Sequence, residues 1–109
     1  MRLPKTLLAF AFLCMSGSLA DAQFQFHQIR QACIGFEDQN SAATFSQGLC
    51  AGLIEGVIYA SPNVCMPAQA NLAQAAKIVL NYANRIPERW HEHRARIVEE
   101  ALKLAWPCR

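Results

Sequence analysis

NLAQAAKIVLNYANRIPERWHEHRARIVEEALKLAWPC, residues 71–108, is the stretch that decides the fold class. Asn71 reads as a helix N-cap with Gln74 three places on, the Asn form of the capping box. Behind it Leu72, Ala75, Ala76, Val79, Tyr82 and Ala83 recur at steps of three and four and make the apolar face of one helix. Ile86-Pro87 stops that helix, because a proline ring removes a donor and clashes with the preceding turn. A second periodic run spans about Glu92 to Ala105, with Ile97, Val98, Ala101, Leu102 and Ala105 facing inward and Pro107 ending it. On its outer side Glu99 and Lys103 stand in the favourable i,i+4 order, which contributes about 0.2–0.5 kcal/mol.

Upstream, the loop SPNVCMPAQ, residues 61–69, holds two prolines that exclude a helix interior and stiffen the path. Before it a helix is predicted from near Ser41 to just short of Pro62, with Phe45, Leu49, Leu53, Val57 and Ala60 on one face. That helix carries GLCAGLIEG, residues 48–56, in which Gly48, Gly52 and Gly56 recur every four residues. Each interior glycine costs about 0.8–1.0 kcal/mol relative to alanine, so close packing must offset it. A helix of the same chain settling into the glycine groove is the first expectation and a dimer seam the second. A further helix is predicted from Phe24 to about Cys33, and Gly35 with EDQN, residues 37–40, makes a polar break. Alternating Val/Ile/Thr runs and Asn-Gly or Asp-Gly hairpin turns are missing. The expected architecture is all-α: a compact four-helix domain.

The first 22 residues set the compartment. Arg2 and Lys5 precede an apolar run from Leu7 to Leu13, then small residues and Ala20-Asp21-Ala22. This is the pattern of a cleaved signal peptide with an A-x-A site, and the run is shorter than the roughly 20 residues of a membrane span. Residues 1–22 are therefore read as leader and 23–109 as one helical domain. After cleavage Cys33, Cys50, Cys65 and Cys108 remain, an even set that in an exported chain reads as two disulfides. Four cysteines allow three connectivities, and spacing alone does not choose among them. The mature chain has eight Lys and Arg against seven Asp and Glu, with alternating signs and no basic run. Nucleic acid and anionic lipid are thus not expected partners, and no membrane association is expected after leader removal.

No constellation for catalysis emerges. A nucleophile needs a base and an orienter, but the four cysteines read as cystines and the mature chain has a single aspartate, Asp38. His91 and His93, two apart on a helix, point to different faces and lack H-E-x-x-H spacing, so no metal or other cofactor is expected. Glu88 and Glu92 stand where acids favour a helix N-terminus electrostatically. The reading is of a binding protein, not an enzyme.

The ordered pieces resemble the Rap/Tai immunity family, small periplasmic proteins of Gram-negative bacteria associated with type VI secretion. The resemblance covers roughly Cys33 to Cys108. It rests on C-x-G-x-I-x-G-V at Cys50, Gly52, Ile54, Gly56 and Val57, and on C-x-P at Cys65 and Pro67. Gln74, Tyr82, Pro87-Glu88, His91, the IVxEAL run from Ile97 to Leu102 and the closing Pro107-Cys108 complete it. At Leu53, Tyr59 and Trp90 the chain departs from the family's usual residues.

The resemblance implies a helical, often dimeric protein that binds and blocks a secreted peptidoglycan amidase of the NlpC-like cysteine-peptidase type, in the periplasm. It also implies the pairing Cys65 with Cys108 and Cys33 with Cys50. For contact with the partner the candidates are Asn63 and Met66 in the stiff loop and Arg89, Trp90 and His91 at the corner before the last helix, Trp and Arg being frequent interface anchors. Trp90 has a second reading, as core packed under that corner. A different functional class is a stand-alone periplasmic structural or chaperone-like protein without a toxin partner.

Overall fold

The computed structural model describes residues 24–38 and 44–109; the expected leader lies outside the described residues. Four helices follow in order: α1 Phe26–Asp38, α2 Phe45–Ala60, α3 Leu72–Asn84 and α4 Arg94–Ala105, with a 3-10 turn at Pro87–Arg89. α1 packs on both α2 and α3, and α3 and α4 pack on each other, with α2 contacting both. Among the described residues there is no strand, only two isolated antiparallel bridges, Gln25 to His93 and Val64 to Pro107. The all-α, four-helix expectation holds, and both disulfides form as the resemblance implied: Cys33–Cys50 and Cys65–Cys108.

The core sits where the four helices meet. α3 contributes Ala75, Ala76, Val79, Leu80 and Ala83, α4 contributes Ile97, Val98, Ala101 and Leu102, and α1 contributes Phe26, Ile29 and Cys33. Alanines on α3 leave room for neighbouring helices to approach, while each fully buried Phe, Ile, Leu or Val stabilises by about 1.5–3 kcal/mol. The capping box at the start of α3 is complete: Gln74 N–H donates to Asn71 Oδ1 and Asn71 N–H to Gln74 Oε1, both at 2.9 Å.

Several helix details differ from expectation. α1 begins two residues later, because Gln25 is bridged to His93 and the Phe24 carbonyl accepts from Arg94 N–H at the corner before α4, and it continues through Gly35 to Asp38. Gly35 is no break: α1 runs through it, and a Cβ there would meet only the end of the flexible Gln47 side chain, at 2.9 Å. α4 starts at Arg94, with His93 Nδ1 accepting from Ala95 N–H at 3.2 Å as its N-cap. At its other end Ala105 is exposed, not inward. Glu99 accepts from the Ser61 hydroxyl at 3.2 Å, and no ion pair joins it to Lys103 among the described residues.

The largest correction concerns α2. Its buried residues are Cys50 and Ile54, whereas Phe45 and Leu49, placed inward on periodicity, are exposed. Cys33 pulls Cys50 to the core through their disulfide, and that tether sets the rotation of the helix. α2 is apolar on nearly every side, so spacing could not say which stripe turns in. Gly48, Gly52 and Gly56 consequently face out. Among the described residues nothing comes within 4 Å of where a Cβ would sit on any of them, so they seat no helix of this chain.

Candidate interaction surface

The two regions expected to reach a partner lie at opposite ends of the α3–α4 pair. The loop from Ser61 to Ala70 adjoins the end of α4, where Cys65 N–H donates to the Trp106 carbonyl at 2.8 Å and Cys65 is bonded to Cys108. The corner with Arg89, Trp90 and His91 adjoins the start of α4, a helix of 12 residues away, or about 18 Å. The structure therefore does not bring Asn63 and Met66 together with Arg89, Trp90 and His91.

At the loop, Val64 is buried and bridged to Pro107, which fixes the backbone on either side of the exposed Asn63 and the half-buried Met66. Both partners of the Cys65–Cys108 bridge are themselves exposed. In the loop-entropy picture this closure, over a separation of 43 residues, is worth about 4 kcal/mol. The result is a surface segment fastened at Val64 and at Cys65.

At the corner the side chains are engaged within the fold. Arg89 donates to Glu92 Oε1 at 2.9 Å and to Glu100 Oε2 at 2.7 Å, and Tyr82 donates its hydroxyl to that same Glu100 oxygen at 2.9 Å. Hydrogen bonds to Glu92 and Glu100 hold the Arg89 guanidinium firmly protonated. The Arg89 hydrogen bond likewise keeps the Glu92 carboxyl below the usual glutamate range. At Glu100 burial opposes ionisation, but the bonds from Tyr82 and Arg89 outweigh it and the carboxyl is also lowered. Burial, followed by the bond to Glu100, raises the Tyr82 phenol above its ordinary value.

Trp90 is half-buried, donates its indole N–H to the Ala83 carbonyl at 2.8 Å, and carries the Arg30 guanidinium 4.5 Å from its ring centroid. The Phe26 ring lies 6.4 Å from it. The corner also completes the start of α1: Phe26 N–H donates to the Glu92 carbonyl at 2.9 Å and His27 N–H to that of Trp90 at 3.1 Å, satisfying donors a helix N-terminus leaves open. Arg94 N–H reaches the Phe24 carbonyl at 2.7 Å, and the Phe24 ring stacks on His93. Of the three corner candidates only His91 is exposed.

The surface that spacing misassigned is the outer side of α2. Phe45 is 82% and Tyr59 93% exposed, with Leu49 at 45%. Beside it an open groove of about 460 Å³ runs between α2 and α4, lined by Gly52, Leu53, Gly56, Val57, Ala60 and Pro62, with Glu99 and Ser61 at its polar edge. The signal that could have found this face was Cys50: a cystine partner on α1 puts that position inward and Gly52, about 160° round the helix, outward. Among the described residues no group of His, Cys, Asp and Glu could hold a metal ion, and no helix is long and apolar enough to cross a membrane.

Compared with known proteins, the chain matches one family model, described as Rap1a immunity proteins, over residues 20–108. No curated protein and no solved structure matches it.

Proposed function

Because the chain belongs to the Rap1a immunity proteins, matched over residues 20–108, we propose that it protects its producer by binding a type VI secreted peptidoglycan amidase in the periplasm and blocking it. An immunity-type protein acts on a secreted toxin partner, and the family match along nearly the whole mature chain is the observation that carries the reading. The finer proposal is that the toxin is an NlpC-like cysteine peptidase, occluded stoichiometrically and not modified.

The contact we favour is the loop around Asn63 and Met66. To fill a cleft, a segment must stand out and stay ordered without its partner, since ordering it on binding would subtract from affinity. The bridge to Cys108 and the pinned Val64 meet that need. His91 is the secondary contact. Arg89 and Trp90 contribute by holding the corner.

The test uses tagged mature chain incubated, without reductant, with periplasmic extract of the producing cell. Recovery of one cysteine amidase at near-equal stoichiometry, followed by loss of its muropeptide release when the chain is added back, is the expected result. Recovery of the chain alone, or of many unrelated proteins, overturns the proposal and favours the structural or chaperone-like role. Exchanging Asn63 and Met66 for Ala is expected to weaken inhibition with the melt unchanged.

A further inference from the structure

The two cystines occupy opposite kinds of place. Cys33 and Cys50 are each 0% exposed and join α1 to α2 inside the core. Cys65 and Cys108 are both exposed, one on the loop before α3 and the other beyond the end of α4. A disulfide is cut or remade only when a thiolate reaches one of its sulfurs, so access separates a labile bridge from a structural one. Of residues 61–70 only Val64 belongs to the buried core. The capping box of Asn71 and Gln74 closes on itself just after the loop, so α3 keeps its start whether or not the loop is fastened.

The outer bridge is the strongest of the fastenings around Asn63. Ahead of that residue the Ser61 hydroxyl donates to Glu99 at 3.2 Å, and Cys108 Sγ packs 3.4 Å from the Pro62 carbonyl oxygen. Behind it stand the Cys65–Cys108 bond, the 2.8 Å hydrogen bond from Cys65 N–H to the Trp106 carbonyl, and the bridge of Val64 to Pro107. Once the S–S bond is cut, the rear of the loop keeps only that isolated pairing at the surface. Contacts of this kind sit at the low end of a protein's range of opening free energies.

We infer that Cys65–Cys108 is a site of thiol–disulfide exchange whose reagent is a dithiol, and that its closing and opening fasten and release the loop at Asn63. One thiolate of the dithiol bonds to one sulfur, and the other cysteine leaves as thiolate and takes up a proton. The second thiol of the dithiol then displaces the mixed disulfide. The dithiol ends as a disulfide and the chain as two thiols, a two-electron exchange that an oxidised dithiol reverses. Cys33–Cys50 stays out of reach throughout and keeps α1 on α2. One consequence rests on the immunity reading: the fastened loop is the form that fits a cleft, because a released loop must be ordered again on binding.

The experiment equilibrates the mature, oxidised chain in graded ratios of reduced to oxidised dithiothreitol, maps free thiols by alkylation and follows amide hydrogen exchange. In one step Cys65 and Cys108 are expected to become labelled and the Cys65 amide to exchange on the order of tenfold faster or more, while Ala76, Val79 and Ala83 on α3 keep their protection. Returning the ratio restores both. Cys65→Ser with Cys108→Ser gives the open state without reductant, and the reduced wild type stands in should that variant fail to fold. Opening of Cys33–Cys50 in the same step, loss of α3 protection with it, or an unchanged Cys65 amide would overturn the inference. Closed and open forms, offered as baits to the same periplasmic extract, test the consequence: the open form is expected to retain about tenfold less amidase, and equal retention overturns the gating. If the closed bait retains none, the immunity reading fails, and exchange at Cys65 alone decides whether the bridge fastens the loop.

Discussion

Tyr82 on α3 donates its hydroxyl to Glu100 on α4 at 2.9 Å, and the carboxylate oxygen that accepts it also receives Arg89 at 2.7 Å. One oxygen thus joins two helices and the corner between them. Arg96, one turn earlier on α4, adds a weaker contact at 3.5 Å to the other carboxylate oxygen of Glu100.

The cluster makes stability depend on acid. Glu92 and Glu100 have folded carboxyl values below the ordinary one, so their contribution is complete above the unfolded glutamate value of about 4.3 and is lost as pH falls through the depressed folded values. The thermal midpoint is expected to be flat near neutrality and to drop below about pH 4. In Arg89→Met the midpoint should be lower at pH 7 and the acid drop shallower. An unaltered acid limb in that variant would show that the cluster is not the source.

At the alkaline end the sign reverses. The Tyr82 phenol is raised, chiefly by burial, so its contribution is present below the unfolded tyrosine value of about 10 and is lost as pH rises through the folded one. Tyr82→Phe is expected to cost about 1 kcal/mol at pH 7, through the lost bond to a charged acceptor, and to flatten the alkaline limb. Denaturant titrations at pH 7 and above pH 10 check both.

Trp90→Ala is expected to lower stability by about 2–3 kcal/mol, below the full cost of a buried tryptophan because the residue is only half-buried. It leaves the Ala83 carbonyl without its indole donor and uncovers Arg30. Trp90→Phe should recover most of the packing and leave only the unpaired carbonyl. A melt indifferent to Trp90→Ala would instead mark the side chain as a contact residue.

The two disulfides should differ in their response to reductant. Cys33 and Cys50 are wholly buried, whereas Cys65 and Cys108 are exposed. Brief treatment with dithiothreitol and alkylation is expected to label Cys65 and Cys108 first, as read by peptide mass. Cys108→Ser paired with Cys65→Ser should destabilise by about 4 kcal/mol and free the loop at Asn63.

Replacing Gly48, Gly52 or Gly56 by Ala is expected to stabilise the monomer by about 0.8–1.0 kcal/mol each, since the added methyl group meets nothing and the helix gains propensity. Unfolding of dilute protein in denaturant reads that gain. Destabilisation of the dilute protein would reveal a contact within the chain.

Element positions were readable because caps and prolines are local. Asn71 and Gln74 form their box through hydrogen bonds three residues apart, and Pro87 and Pro107, which lack a backbone donor, follow the ends of α3 and α4. The corner network was not readable in the same way: Arg89 presented itself as a surface anchor, and only the fold brings Glu100 and Tyr82 to it.

The residues by themselves determine that this chain is helical, where α3 starts, that prolines follow α3 and α4, and, through the ordered Cys, Gly and Pro positions, the family to which it belongs. They do not determine which side of α2 turns inward. That helix is apolar around nearly its whole circumference, so burial of Phe45 and Leu49 or of Cys50 and Ile54 satisfies periodicity about equally well. The choice is made by a constraint 17 residues away in sequence, the bond from Cys33, which turns Cys50 to the core and leaves Phe45, Gly52 and Tyr59 outside. Orientation is a property of what a helix packs against, and only the tertiary structure holds that information.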